Sequence, residues 1–137
     1  MFNPSFPATC PYVTAVGTTQ VKPNASVAQL EKAAESFIYS GGGFSNVFST
    51  PSYQASALKT YFANYKPPYG PDRYNTTQKS RGFPDVSANG VNYVVSVDGT
   101  FNHVYGTSAS APTFGSIMTL INAARMDIGK EMTQQSS

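Results

Sequence analysis

The sequence predicts an α/β chain, and three stretches predict it. A strand is expected over Tyr12–Gly17, where small apolar and polar residues alternate up to a glycine. A β-hairpin is expected from two β-branched and aromatic runs, 92–97 and 100–105, joined by Asp98-Gly99. That pair accepts the positive φ angles a tight reversed turn needs. A long helix is expected from Ser108, because Phe114, Ile117, Met118, Ile121 and Arg125 recur at three- and four-residue spacing.

Taken in order, Pro7 and Pro11 hold an extended lead into the first strand. Residues 26–34 are polar and carry no strong period. The run Ser40-Gly41-Gly42-Gly43-Phe44-Ser45 suits neither a helix nor a strand interior, so backbone there must turn sharply or approach something closely. After Pro51, the residues Tyr53, Ala57, Leu58, Tyr61 and Phe62 have helical spacing, which predicts an amphipathic helix over 52–64. Pro67-Pro68-Tyr69-Gly70-Pro71 ends it, and 72–81 is polar and expected to be a mobile loop. The last helix should tolerate Pro112 in its first turn, bury its apolar stripe in the core and stop near Gly129. Residues 131–137 form a tail without pattern.

Composition excludes several classes. The chain has 137 residues, enough for one domain. Charged residues are 12% against 40% hydrophobic, which is not the make-up of a disordered chain. The net charge is +2 and the basic residues are scattered, so no nucleic-acid partner is expected. No apolar run approaches the ~20 residues a bilayer needs, so no membrane partner is expected either. One Cys and one His cannot make a zinc site or an internal disulfide. Low charge, with many Gly, Pro, Ser, Thr, Asn and Tyr, is the composition of a secreted protein. Two acceptor sequences for N-glycosylation, Asn24-Ala25-Ser26 and Asn75-Thr76-Thr77, agree with that, although such short motifs also arise by chance.

The chemistry-bearing stretch is Gly106 to Pro112. A strand, a glycine and then a serine in the first turn of a buried helix place a hydroxyl beside unpaired backbone N–H groups and a partial positive charge. A serine so placed can act as nucleophile while the N–H groups hold a developing oxyanion. Ser108 is that candidate, and Ala109, Ser110 and Ala111 are too small to crowd it. The competing reading is an ordinary helix cap. His103, five residues earlier, is better read as a polar strand residue than as a base. The three glycines are read as close backbone packing or as the lining of a substrate cleft.

Four segments, in order, resemble the sedolisin family of serine-carboxyl peptidases, which includes the tripeptidyl peptidases. Gly106-Thr107-Ser108-Ala109-Ser110-Ala111-Pro112 is similar to the family's nucleophile motif. Phe6 to Gly17 is similar to the segment that follows its oxyanion-hole residue. Ser40 to Ser45 is similar to its glycine-rich segment, and Arg81 to Ala88 to the strand that precedes its hairpin. Tyr105 departs from the pattern, standing where Gly or Ser is more usual, and the tail from Glu131 matches nothing.

The resemblance implies a partial subtilisin-like fold: a parallel sheet with flanking helices and a β-hairpin leading into the nucleophile helix. It implies that residues 1–130 are the C-terminal portion of a peptidase domain. Ser108 matches the nucleophile. The family's triad Glu and Asp and its oxyanion Asp lie upstream of this segment, and its calcium site lies downstream, so no cofactor is expected here. Asp85 matches a structural motif, and Asp98 belongs to the hairpin turn. The expected function is serine-type peptide-bond hydrolysis, with tripeptidyl-peptidase action on peptide or protein substrates. The chain by itself is expected to be inactive, extracellular and without its signal peptide, with Cys10 paired to an upstream cysteine. The alternative is a non-catalytic truncated product, or a binding or decoy module on the same fold. An ordinary subtilisin relative fits less well, because the small-residue run before Pro112 suits sedolisins better.

Overall fold

A computed structural model describes residues 3–133. In chain order its elements are β1 (Val16–Gln20), β2 (Lys32–Ala33), β3 (Gly43–Ser49), a 3-10 turn (Ser52–Gln54) running into α1 (Ala55–Asn64), β4 (Ser80–Phe83), β5 (Val86–Asn89), β6 (Tyr93–Val97), β7 (Thr100–Val104) and α2 (Thr107–Asp127). They group into two compact units. One holds the N-terminal segment up to Ala15 together with Gly42–Asp85, and the other holds Val16–Gly41 with the chain from Val86 onward.

In the first unit β3 pairs antiparallel with β4. The glycine run serves that pairing. A Cβ on Gly42 would stand 3.1 Å from the Phe83 carbonyl oxygen, and one on Gly43 would stand 3.4 Å from the Phe83 ring. Close packing is therefore what these two glycines provide. The helix expected over 52–64 forms as the 3-10 turn and α1. Phe44, Phe62, Tyr61 and Tyr74 cluster around it, with the Phe44 and Phe62 rings 5.0 Å apart.

The polar stretch expected to be a loop over 72–81 ends instead in β4, and Arg81 is 0% exposed. Its guanidinium donates to the carbonyls of Cys10 and Val13, both at 3.1 Å, to that of Gly82, and to Asp85 Oδ2 at 2.7 Å. Asp85 also accepts from the Ala15 amide at 2.8 Å and from Gln54 Nε2 at 2.5 Å. A buried charge must be paired and hydrogen-bonded, and every guanidinium nitrogen here has a partner. Asp85 is thus a structural residue.

In the second unit β1 is the centre of a three-stranded mixed sheet in the order β2-β1-β5. It runs parallel to β5, with Val16 opposite Val86, and antiparallel to β2. The strand begins later than the alternation over 12–17 suggested. The parallel partner starts at Val86, and that register sets the boundary. The hairpin forms where expected, with Val97 opposite Thr100 and positive φ at both turn residues, 49° at Asp98 and 75° at Gly99.

The last helix packs its N-terminal part against β1 and β5. Its apolar stripe departs from expectation. Phe114 and Met118 are half-buried, but Ile117, Leu120 and Ile121 are exposed. The sheet lies against the start of α2, and no described element covers the rest of the stripe. The helix starts at Thr107, so Pro112 is its sixth residue and lies beyond the first turn. Of the tail, Thr133 bonds Asn122 Oδ1 through its amide at 2.8 Å, and 134–137 lie outside the described residues.

Gly115 sits inside this helix, and an added Cβ there would meet nothing within 4 Å. Gly115→Ala should therefore stabilise the chain by about 0.5–1 kcal/mol, since glycine in a helix interior costs that much against alanine. Urea denaturation compared with the parent checks it.

Candidate active site around Ser108

The extended backbone of Gly106 leads into α2, and Ser108 is its second residue. The Ala109 amide is taken by the Gly106 carbonyl at 3.0 Å. Thr107 and Ser108 are left as the first-turn amides ahead of the first intrahelical bond, where the helix partial positive charge is concentrated. Ser108 is exposed, and its hydroxyl makes no hydrogen bond among the described residues. Pro112 has no N–H, so the intrahelical bond that would reach the Ser108 carbonyl is not made.

The serine two places on has the opposite environment. Ser110 is 0% exposed, and its Oγ lies 2.8 Å from Thr18 Oγ1 on β1. The Thr18 amide in turn donates to Ser40 Oγ at 3.0 Å. Gly90 completes the seat. Its carbonyl accepts from the Gly106 amide at 2.8 Å, and its own amide donates to the Thr19 carbonyl at 3.2 Å. A Cβ there would stand 2.3 Å from Ser110 Oγ and 2.6 Å from the Gly106 carbonyl oxygen. The helix start is thus held against the sheet by buried contacts, while the Ser108 hydroxyl faces outward.

The sequence singled out Ser108 as a candidate and gave no sign of the residues packed beneath it. Gly106 is the glycine the motif offers, yet a Cβ there would meet only ordinary contacts, the nearest at 3.5 Å. The position that demands glycine is Gly90. The only local signal for it was a glycine between a strand and the hairpin.

The remaining candidates stand apart from this serine in the bonding pattern. His103 is exposed on β7, opposite Val94. Glu31 bonds Thr19, Glu35 pairs with Lys32, and Asp85 pairs with Arg81. No described carboxylate is hydrogen-bonded to Ser108, and no group of three His, Cys, Asp or Glu among the described residues is placed to hold a metal ion. Cys10 is a half-buried free thiol. Among the described residues no helix is long and apolar enough to cross a membrane.

No protein-family model matches the chain. Curated proteins do. It is 46% identical to "Tripeptidyl-peptidase SED1" of Arthroderma otae, over 95% of this chain and 22% of that protein. It is 43% identical to "Aorsin" of Aspergillus oryzae, over the same shares. It is 35% identical to "Physarolisin" of Physarum polycephalum, over 91% of this chain and 25% of that protein. The chain spans about a fifth to a quarter of the length of these relatives.

Proposed function

Because this chain belongs to the sedolisin family, as a segment of the longer relatives it matches, we propose that it serves peptide-bond hydrolysis with Ser108 as the nucleophile. The observation that carries this reading is the contrast between two serines of one helix turn. Ser110 is sealed and spends its hydroxyl on Thr18, whereas Ser108 stands exposed beside the first-turn amides. An ordinary helix cap is weaker, because Ser108 lies inside the helix and the cap residue is Gly106, without a side-chain cap bond.

In this reading the Ser108 oxygen attacks a peptide carbonyl and gives its proton to a base. The helix-start amides help hold the oxyanion. The base is a carboxylate, which titrates near pH ~4 and suits an acid working range. That base, its partner Asp and the oxyanion Asp come from sequence beyond these 137 residues. Residues 1–130 are then the C-terminal portion of a subtilisin-like domain that works outside the cell, and Cys10 pairs with a cysteine of that other part. Removal of N-terminal tripeptides is the finer assignment, supported by the likeness to the tripeptidyl-peptidase of Arthroderma otae.

The 137-residue chain assayed alone at acid pH on a peptide panel should show no turnover. Loss of the nucleophile or the base of a triad costs about a millionfold, and loss of one oxyanion donor about 3–4 kcal/mol. Turnover that disappears in Ser108→Ala would contradict the assignment of the base to other sequence. A non-catalytic module on the same fold is the second reading, and tight peptide binding without turnover by the intact natural protein would establish it.

A further inference from the structure

The chain carries two acceptor sequences for N-glycosylation, and the fold treats them differently. Asn24 lies in the turn Lys22-Pro23-Asn24-Ala25, closed by the Ala25 amide on the Lys22 carbonyl at 3.1 Å. Proline in the second place and a φ of 62° at Asn24 in the third are the signature of a type II turn. Asn24 and Ser26 are both exposed, and neither side chain is engaged among the described residues.

Asn75 is bound up on both ends of its amide. Its Nδ2 donates to the Ser45 carbonyl at 2.9 Å, and Ser45 is 1% exposed. Its Oδ1 accepts from the Thr77 amide at 3.1 Å and from the Thr77 hydroxyl at 2.6 Å. Thr77 is the hydroxyl residue of the same acceptor sequence, so the native structure uses both groups that a glycosyl transferase must reach.

We propose that Asn24 is glycosylated and that Asn75 stays bare. The inference rests on the proposed passage through the secretory pathway. In the transfer, Asn24 Nδ2 forms a bond to the anomeric carbon of an oligosaccharide carried on a lipid diphosphate. The anomeric C–O bond breaks, the diphosphate leaves with the electron pair, and the amide gives up one proton. The sugar then projects into solvent from the turn. The same transfer to Asn75 before folding would bring a bulky group against the buried Ser45 backbone. Chains so modified cannot close that contact and are depleted from the folded protein.

The test expresses residues 1–137 behind a cleavable secretion leader in yeast. Soluble protein from the medium and from microsomes is deglycosylated in heavy-oxygen water, which tags each formerly occupied asparagine by mass. Asn24 should carry the tag at least tenfold more often than Asn75 in either pool. Ser26→Ala, which leaves Asn24 in place, should abolish the glycan. An Asn75 occupancy within tenfold of that at Asn24, an empty Asn24, or a glycan that survives Ser26→Ala would overturn the proposal. Absence of the native protein from the medium of its source would overturn the secretion reading alone.

Discussion

Replacing Gly90 by alanine should cost about 3 kcal/mol or more and disorder the part of the chain that carries Ser108. Gly90 does not adopt a left-handed backbone, so the loss is one of space. The added methyl would stand 2.3 Å from Ser110 Oγ, 2.6 Å from the Gly106 carbonyl oxygen and 2.7 Å from Thr18 Cγ2. Two of these neighbours are tied to one another by the Ser110–Thr18 bond, and the third is backbone. None can step aside without lifting the helix start off the sheet. Overpacking a tight site costs about 1–3 kcal/mol when side chains can adjust, and more where backbone must move. Gly99→Ala is the control. Its methyl would meet nothing within 4 Å, and only the positive φ resists it, at about 1–2 kcal/mol. Amide hydrogen exchange separates the two. Gly90→Ala should lose protection along β1, β5 and the start of α2, whereas Gly99→Ala should lose it only in the hairpin.

Asp85→Ala should cost about 3–5 kcal/mol, because it leaves the wholly buried Arg81 guanidinium without its counter-charge. The carbonyls of Cys10, Val13 and Gly82 would still accept from it, but carbonyl dipoles do not neutralise a full charge. The Ala15 amide and Gln54 Nε2 would lose acceptors as well. Asp85→Asn keeps the shape and one acceptor oxygen, so it should cost less than Asp85→Ala. Guanidinium denaturation of the two variants checks the order. Equal stability of Asp85→Ala and the parent would show that the ion pair contributes nothing net.

These two sites also mark where the sequence stops being legible. The hairpin was readable because Asp98-Gly99 dictates its own turn, and α2 because its apolar residues keep the helical period. The placement of Ser108 at a helix start was readable for the same local reason: strand, glycine, serine and helix follow one another along the chain. Arg81 was not, since the groups that bury it come from Cys10 and Val13, about seventy residues away. Gly90 was not, because its neighbours Thr18 and Ser110 reach it only when β1, β5 and α2 assemble. Periodicity also misplaced the fate of Ile117 and Ile121. It gives the face a helix would bury, and it cannot supply the element that covers that face. For the same reason the residues that would act with Ser108 leave no trace in its own stretch of sequence.

The assignment of Ser108 is tested most directly in a chimera. Residues 3–133 replace the aligned segment of the Arthroderma otae tripeptidyl-peptidase, and release of tripeptides is measured at acid pH. The chimera should turn over its substrate, and Ser108→Ala should reduce turnover about a millionfold while leaving the melting temperature unchanged, because the exposed hydroxyl makes no hydrogen bond among the described residues. A folded Ser108→Ala chimera that still cleaves peptides at the parent rate would place the nucleophile elsewhere.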